Sequence, residues 1–93
     1  MEIKHITENN KGAFVAYING ERAGEMTYSV AGTDKIIVDH TEVESAFNGQ
    51  GVGKTILMEI VDYARKNSIK IIPLCPFAKS VFDKNPAIHD VKA

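Results

Sequence analysis

The rhythm of apolar and polar positions changes once along this chain, at Gly51. Before that point, short apolar runs are separated by turn residues. Residues 2–6 alternate weakly and predict a first strand, followed by a turn at Glu8-Asn9-Asn10-Lys11-Gly12. Residues 13–18 are rich in β-forming side chains, and Asn19-Gly20 comes next. An Asn-Gly pair between two apolar runs marks a hairpin, because both residues accept positive φ. Residues 21–30 are then the partner strand. After the turn Ala31-Gly32-Thr33-Asp34, residues 35–43 predict a further hairpin-linked strand.

Beyond Gly51 the period lengthens. Val52, Ile56, Leu57, Ile60, Val61 and Ala64 recur at helical spacing, with Lys54, Glu59, Asp62, Arg65 and Lys66 between them. This predicts a helix over 52–66, ended by Asn67-Ser68 with Asn67 as a left-handed cap. Residues 69–74 form a short apolar run of strand type. Residues 76–83 predict a short helix, with Pro76 in the first turn, where a missing N–H costs nothing. Asn85-Pro86 closes it, and the tail from Ala87 carries no pattern.

A strand–helix–strand passage of this length implies a parallel pair with a right-handed crossover. The earlier hairpins imply antiparallel pairing. The expected fold is therefore α/β in the mixed α+β sense. Antiparallel hairpins lead into a parallel strand–helix–strand unit, in a five-stranded mixed sheet with one long and one short helix. At 93 residues the chain predicts one domain, 1–93, with one core and no second lobe to close a pocket. A ligand should be large and lie across the surface, or a partner should complete the pocket.

Composition narrows the function classes. With 44% hydrophobic and 25% charged residues, a packed globular chain is expected rather than a disordered one. A formal net charge of −1 offers no electrostatic footprint for nucleic acid. No apolar run approaches the ~20 residues of a membrane span, and Met1-Glu2-Ile3-Lys4-His5 lacks the apolar stretch of a signal peptide. The one cysteine, Cys75, has no partner for an internal disulfide. A cytoplasmic protein without a metal centre is expected.

The stretch richest in chemistry is Asn48-Gly49-Gln50-Gly51-Val52-Gly53-Lys54, between a strand and an amphipathic helix. A helix N-terminus has about four unpaired N–H groups and a partial positive charge. Glycines let the backbone curl so that those groups converge, and they leave no side chain to block an anion. The stretch reads either as a phosphate seat or as a plain tight turn whose glycines serve packing. Two familiar phosphate motifs fail here. In the nucleotide P-loop, Gly53-Lys54-Thr55 would match the end, but its first glycine falls on Asn48. In the dinucleotide fingerprint, Gly49 and Gly51 fit, but the third glycine falls on Lys54.

A third pattern fits. The GNAT superfamily of N-acetyltransferases opens its central helix with Arg/Gln-x-x-Gly-x-Gly/Ala, and here the frame is Asn48-x-x-Gly51-x-Gly53. The preceding Ile36-Ile37-Val38-Asp39-His40-Thr41-Glu42-Val43 resembles that fold's central strand. Ile71-Ile72-Pro73-Leu74-Cys75-Pro76-Phe77 resembles a compact branch often called YjdJ-type. The similarity spans roughly residues 13–86. One departure is Asn48, where the family usually has Arg or Gln, and it implies a weaker grip on the pyrophosphate.

The resemblance implies acetyl-CoA as cofactor, an amine as acceptor, and a cofactor lying between the central strand and residues 69–74, which splay apart. Local chemistry supports the splay, since Pro73 has no N–H and cannot continue a ladder. Thr41 and Val43 stand two apart, so both can present backbone groups to the pantetheine arm from one edge, and a bulge near Glu42 would help. The cofactor-binding set is thus Thr41, Val43, Asn48, Gly49, Gln50, Gly51, Val52, Gly53, Lys54, Pro76 and Phe77. A backbone N–H, that of Thr41, would stabilise the oxyanion.

The candidate catalytic residues are Glu42, His40 and Cys75. Glu42 is either a general base or a solvated strand residue. His40, with an intrinsic pKa near 6.5, is either an alternative base or a structural histidine. Cys75, between Pro73 and Pro76, is either a small buried hydrophobe or a thiol at a helix N-terminus that lines the acetyl pocket or accepts the acetyl group. Larger family members place a Tyr after the last core strand to protonate the leaving thiolate. This chain has Phe77 and Phe82 there. An N-acetyltransferase acting on an amine is the first reading. The alternative is a non-catalytic acyl-CoA-binding module or sensor, and a nucleotide-binding module built on Gly53-Lys54-Thr55 stands third.

Overall fold

The computed structural model describes residues 1–93. Five strands follow one another across a single sheet in chain order: β1 (Glu2–Glu8), β2 (Lys11–Ile18), β3 (Glu21–Val30), β4 (Lys35–Val43) and β5 (Lys70–Pro73). β1 to β4 pair antiparallel through hairpins. β5 joins β4 in parallel, after a crossover through helix α1 (Val52–Asn67). Helix α2 (Pro76–Lys84) follows β5. The mixed α+β fold expected from the periodicity is the fold observed.

Both helices lie on one face of the sheet. Val52, Ile56, Leu57, Ile60, Val61 and Ala64 of α1 and Ala78, Val81 and Phe82 of α2 share one apolar cluster with Phe14, Ala16, Met26, Tyr28, Ile36, Val38 and Ile71 from the strands. A helix with such a stripe is held chiefly by this burial, because isolated helices of its length are marginal in water. No helix covers the other face, which carries Ile6, Ala13, Thr27 and Ile37.

The structure corrects the sequence reading in two places. The left-handed residue after α1 is Ser68, with φ 55°, whereas Asn67 is still helical and turns its side chain to the Tyr63 carbonyl. The tail from Ala87 is ordered: Pro86–Val91 forms a 3₁₀ helix that buries Ile88 and Val91. Arg65 clamps it, with Nε and Nη2 donating to the two carboxylate oxygens of Asp90, each at 2.9 Å. β4 also carries a bulge, at Asp39 rather than at the position near Glu42 that would have helped. Thr27 pairs His40 and Tyr28 pairs Val38, which leaves Asp39 as the extra residue.

That bulge decides which way the end of β4 faces. Under strict alternation from Val38, His40 and Glu42 would point toward the helices. The extra residue shifts the phase. Thr41 and Val43 now oppose Met26 and Gly24 on the helix face, while His40 and Glu42 oppose Thr27 and Glu25 on the open face.

Candidate active site

The glycine turn closes a groove of about 360 Å³ at the N-terminus of α1. Gly49 and Gly51 have φ of 79° and 72°, the left-handed region, where a Cβ costs roughly 1–2 kcal/mol. Gly51 is the N-cap, with no side-chain cap bond. The first helical bond runs from Thr55 N–H to the Gly51 carbonyl at 3.0 Å, and no backbone carbonyl takes the N–H groups of Gly51, Val52, Gly53 or Lys54. Gly53 serves close approach: a Cβ there would stand 2.9 Å from the Phe77 ring.

The opposite wall is the free edge of β4. β5 ends at Pro73, opposite Val38. Leu74 and Cys75 N–H both donate to the Val38 carbonyl, at 3.1 and 3.0 Å, and the chain then turns into α2. Beyond Val38 nothing pairs with β4 on that side. Glu44 N–H donates to Ala23 on β3 at 2.8 Å. Backbone groups alternate edges along a strand, so those of Val43 and Thr41 point away from β3, into the gap.

Most of the predicted cofactor-binding residues meet in this groove: Thr41, Val43, Asn48, Gly49, Gly51, Val52, Gly53, Lys54 and Phe77 line it. Gln50 is exposed in the turn outside the lining, and Pro76 opens α2 beside Phe77. Cys75 is the N-cap of α2 and is 5% exposed, with its Sγ 3.2 Å from Thr41 Oγ1. It lies beneath the groove at the point where the strands part. His40 and Glu42 flank Thr41 in sequence but project from the other face of the sheet. His40 is exposed. Glu42 Oε1 accepts from Arg22 Nη2 at 2.8 Å, and Arg22 also pairs Glu25 at 3.0 Å and Glu44.

The sequence model of the GCN5-related N-acetyltransferases matches residues 13–91. The chain belongs to that family. A GCN5-like candidate N-acetyltransferase from Staphylococcus aureus, known from its solution structure, is 37% identical over 99% of this chain and 87% of its own, with a TM-score of 0.73. Two further structures share the fold. The ribosomal-protein-alanine N-acetyltransferase from Brucella melitensis biovar Abortus 2308 is 22% identical over 83% of this chain, with a TM-score of 0.68. The ribosomal-protein-S18-alanine N-acetyltransferase from Escherichia coli is 17% identical over 86%, with a TM-score of 0.69. The match spans 62% and 54% of those two chains. Among curated protein sequences none is significantly similar to this chain.

In this GNAT domain, Arg22 has three carboxylate neighbours. Its hydrogen bonds to Glu25 and Glu42 raise its pKa above the ordinary arginine value. One groove residue escaped the sequence reading: Phe47, in the 3₁₀ turn Ser45–Phe47 between β4 and the glycines. A bulky aromatic just before a glycine turn was the signal available for it. The nucleotide reading loses its side chain, because Thr55 Oγ1 donates to the Gly51 carbonyl at 2.8 Å, within its own helix. No helix is long and apolar enough to cross a membrane.

Proposed function

We propose that this domain binds acetyl-CoA in the groove and transfers its acetyl group to a primary amine that approaches from the open face. The observation that carries this reading is the meeting of two sets of unused backbone groups in one groove. The N–H groups of Gly51–Lys54 suit a pyrophosphate, and the free edge at Thr41 and Val43 suits a pantetheine arm. Phe47 and Phe77 supply apolar walls for it.

Acetyl-CoA as co-substrate supplies an acyl thioester whose C–S bond breaks as the amine nitrogen forms the amide, the CoA thiolate leaving to take its proton from water. The Thr41 N–H stabilises charge on the carbonyl oxygen. Glu42, held by Arg22 on the open face, receives the amine proton directly or through water. His40 is the second candidate for that step. Cys75 backs the acyl end of the groove from beneath, behind the Thr41 side chain. Its burial and its contact with the Thr41 hydroxyl suit that role better than accepting the acetyl group. A free thiol also fits a reducing cytoplasm.

The non-catalytic acyl-CoA-binding reading rests on two observations. Phe77, with no tyrosine, lies beside the groove, and Glu42 is engaged by a cation. The test has two arms. CoA and acetyl-CoA should raise the melting temperature more than ATP, and acetyl-CoA should release free thiol in the presence of a panel of amines. Stabilisation without turnover selects the binding module, and equal stabilisation by ATP removes the pantetheine from the reading.

A further inference from the structure

β1 is an outer strand of the sheet, paired only on its β2 side. Val30 N–H donates to the Asn10 carbonyl at 2.8 Å. By alternation, Asn10 and Gly12 turn their backbone groups to β3, and Lys11 and Ala13 turn theirs to β1. Glu8–Lys11, Ile6–Ala13 and Lys4–Val15 are therefore the hydrogen-bonded pairs of the first hairpin. The N–H and C=O groups of Ile3, His5 and Thr7 point away from the sheet. Monomeric proteins blunt such an edge with a bulge, a proline or unmatched lysines. β1 has an unbroken register and no proline, and its one lysine, Lys4, is followed four residues later by Glu8. Neither Lys4 nor Glu8 enters an ion pair within the chain. Ile6 stands between them on the open face, 51% exposed. At the opposite side of the sheet the tail lies along β5, where Ala93 N–H donates to the Ile71 carbonyl at 2.8 Å.

We infer that two copies of this chain pair antiparallel through β1, about a twofold axis at Ile6, into one continuous sheet. Centred there, His5 bonds the partner's Thr7 and Thr7 bonds the partner's His5, which uses the outward backbone groups. On the open face Ile6 meets the partner's Ile6, Lys4 meets the partner's Glu8, and Glu8 meets the partner's Lys4. These are non-hydrogen-bonded pairs, whose Cα atoms approach to about 4.5 Å, so the side chains touch. Centring on His5 would set Glu2 against the partner's Glu8, and centring on Lys4 would set Lys4 against the partner's Lys4. Opposite charge and the exposed isoleucine thus select one register. The contact is isologous and consumes β1 in both copies, while the tail occupies β5, so assembly stops at two. The acetyl-CoA groove lies at the other side of the strand order and stays open.

The edge is short, so a dissociation constant of about 0.1–1 mM is expected, at the weak end of specific contacts. Sedimentation equilibrium on the wild type should show an average mass that rises from 10.2 kDa toward twice that value as concentration passes through this range. Lys4→Glu and Glu8→Lys should each hold the mass at that of the single chain, because each sets like charges opposite one another at both ends. An equimolar mixture of the two variants should regain association, since the mixed pair matches a carboxylate against an ammonium at both ends. Both side chains are exposed and free of ion pairs, so the fold should survive. A wild type that keeps one chain's mass at about 1 mM overturns the proposal. So does a single variant that associates as the wild type does, or a folded mixture that does not associate. Amide hydrogen exchange tests the pairing without any variant. The His5 and Thr7 N–H groups should exchange about two- to fivefold more slowly at about 1 mM than at about 10 µM, the ratio set by the free fraction. Those of Lys4 and Ile6, bonded to β2, should not change. Exchange at His5 and Thr7 that is independent of concentration overturns the pairing.

Discussion

Gly53→Val separates the phosphate seat from the fold. A Cβ at position 53 meets the Phe77 ring at 2.9 Å, at the far end of a side chain that is already 40% exposed. The ring must swing away. Exposing the rest of it costs about 1–2 kcal/mol, part of the value for full burial of a Phe. Replacing glycine within a helix returns up to about 0.5 kcal/mol, since Val has better helix propensity. The net change in stability is therefore about 1 kcal/mol, a shift of about 4–8 °C in Tm for a domain of this size. Binding should suffer far more. The valine methyls stand in front of the N–H groups of Gly53 and Lys54, and the displaced ring intrudes on the groove. Losing two charge-assisted hydrogen bonds, at about 1.5–3 kcal/mol each, weakens CoA by at least about a hundredfold. Calorimetric titration gives the affinity, and thermal unfolding of the free protein shows that the fold persists. A folded Gly53→Val that binds CoA within threefold of wild type would place the phosphates elsewhere and refute the reasoning.

Asn48→Arg should tighten CoA binding at low salt by about 1 kcal/mol, through one charge-assisted contact at a part-exposed site, and the gain should shrink as salt rises. Affinity unchanged at low salt means that the side chain at 48 points away from the phosphates. Cys75 should alkylate slowly in the free protein, because it is 5% exposed, and more slowly still with saturating CoA. Equal rates with and without CoA would take the thiol out of the site. His5 stacks on Phe14 with ring centroids 4.0 Å apart, and its Nε2 lies 2.5 Å from the Tyr28 hydroxyl. Burial lowers the His5 pKa and, as the largest cause, pushes Tyr28 up to about 12. The folded state thus favours neutral His5, so its contribution is complete above the ordinary histidine pKa and is lost as pH falls through the lowered value. Tm should therefore drop more steeply below about pH 6.5 in the wild type than in His5→Phe, and parallel curves would remove His5 from the acid response.

What the sequence determined was local. The strands, the long helix and the glycine turn follow from the side-chain periods of two and 3.6 and from positions that need positive φ, properties of neighbouring residues alone. Pro73 likewise marked the end of β5, because a missing donor is visible without a partner strand. What the tertiary structure decided depends on partners. The bulge at Asp39 arises from how β4 registers against β3, and that shift places Thr41 and Val43 in the groove and His40 and Glu42 on the open face. The clamp of Arg65 on Asp90 and the burial of Ile88 and Val91 order a tail that carries no period of its own. Phe47 and Phe77 stand far apart in sequence and meet only because the crossover through α1 returns the chain beside β4. Register and long-range packing are sums over contacts between distant segments, so a local pattern does not contain them.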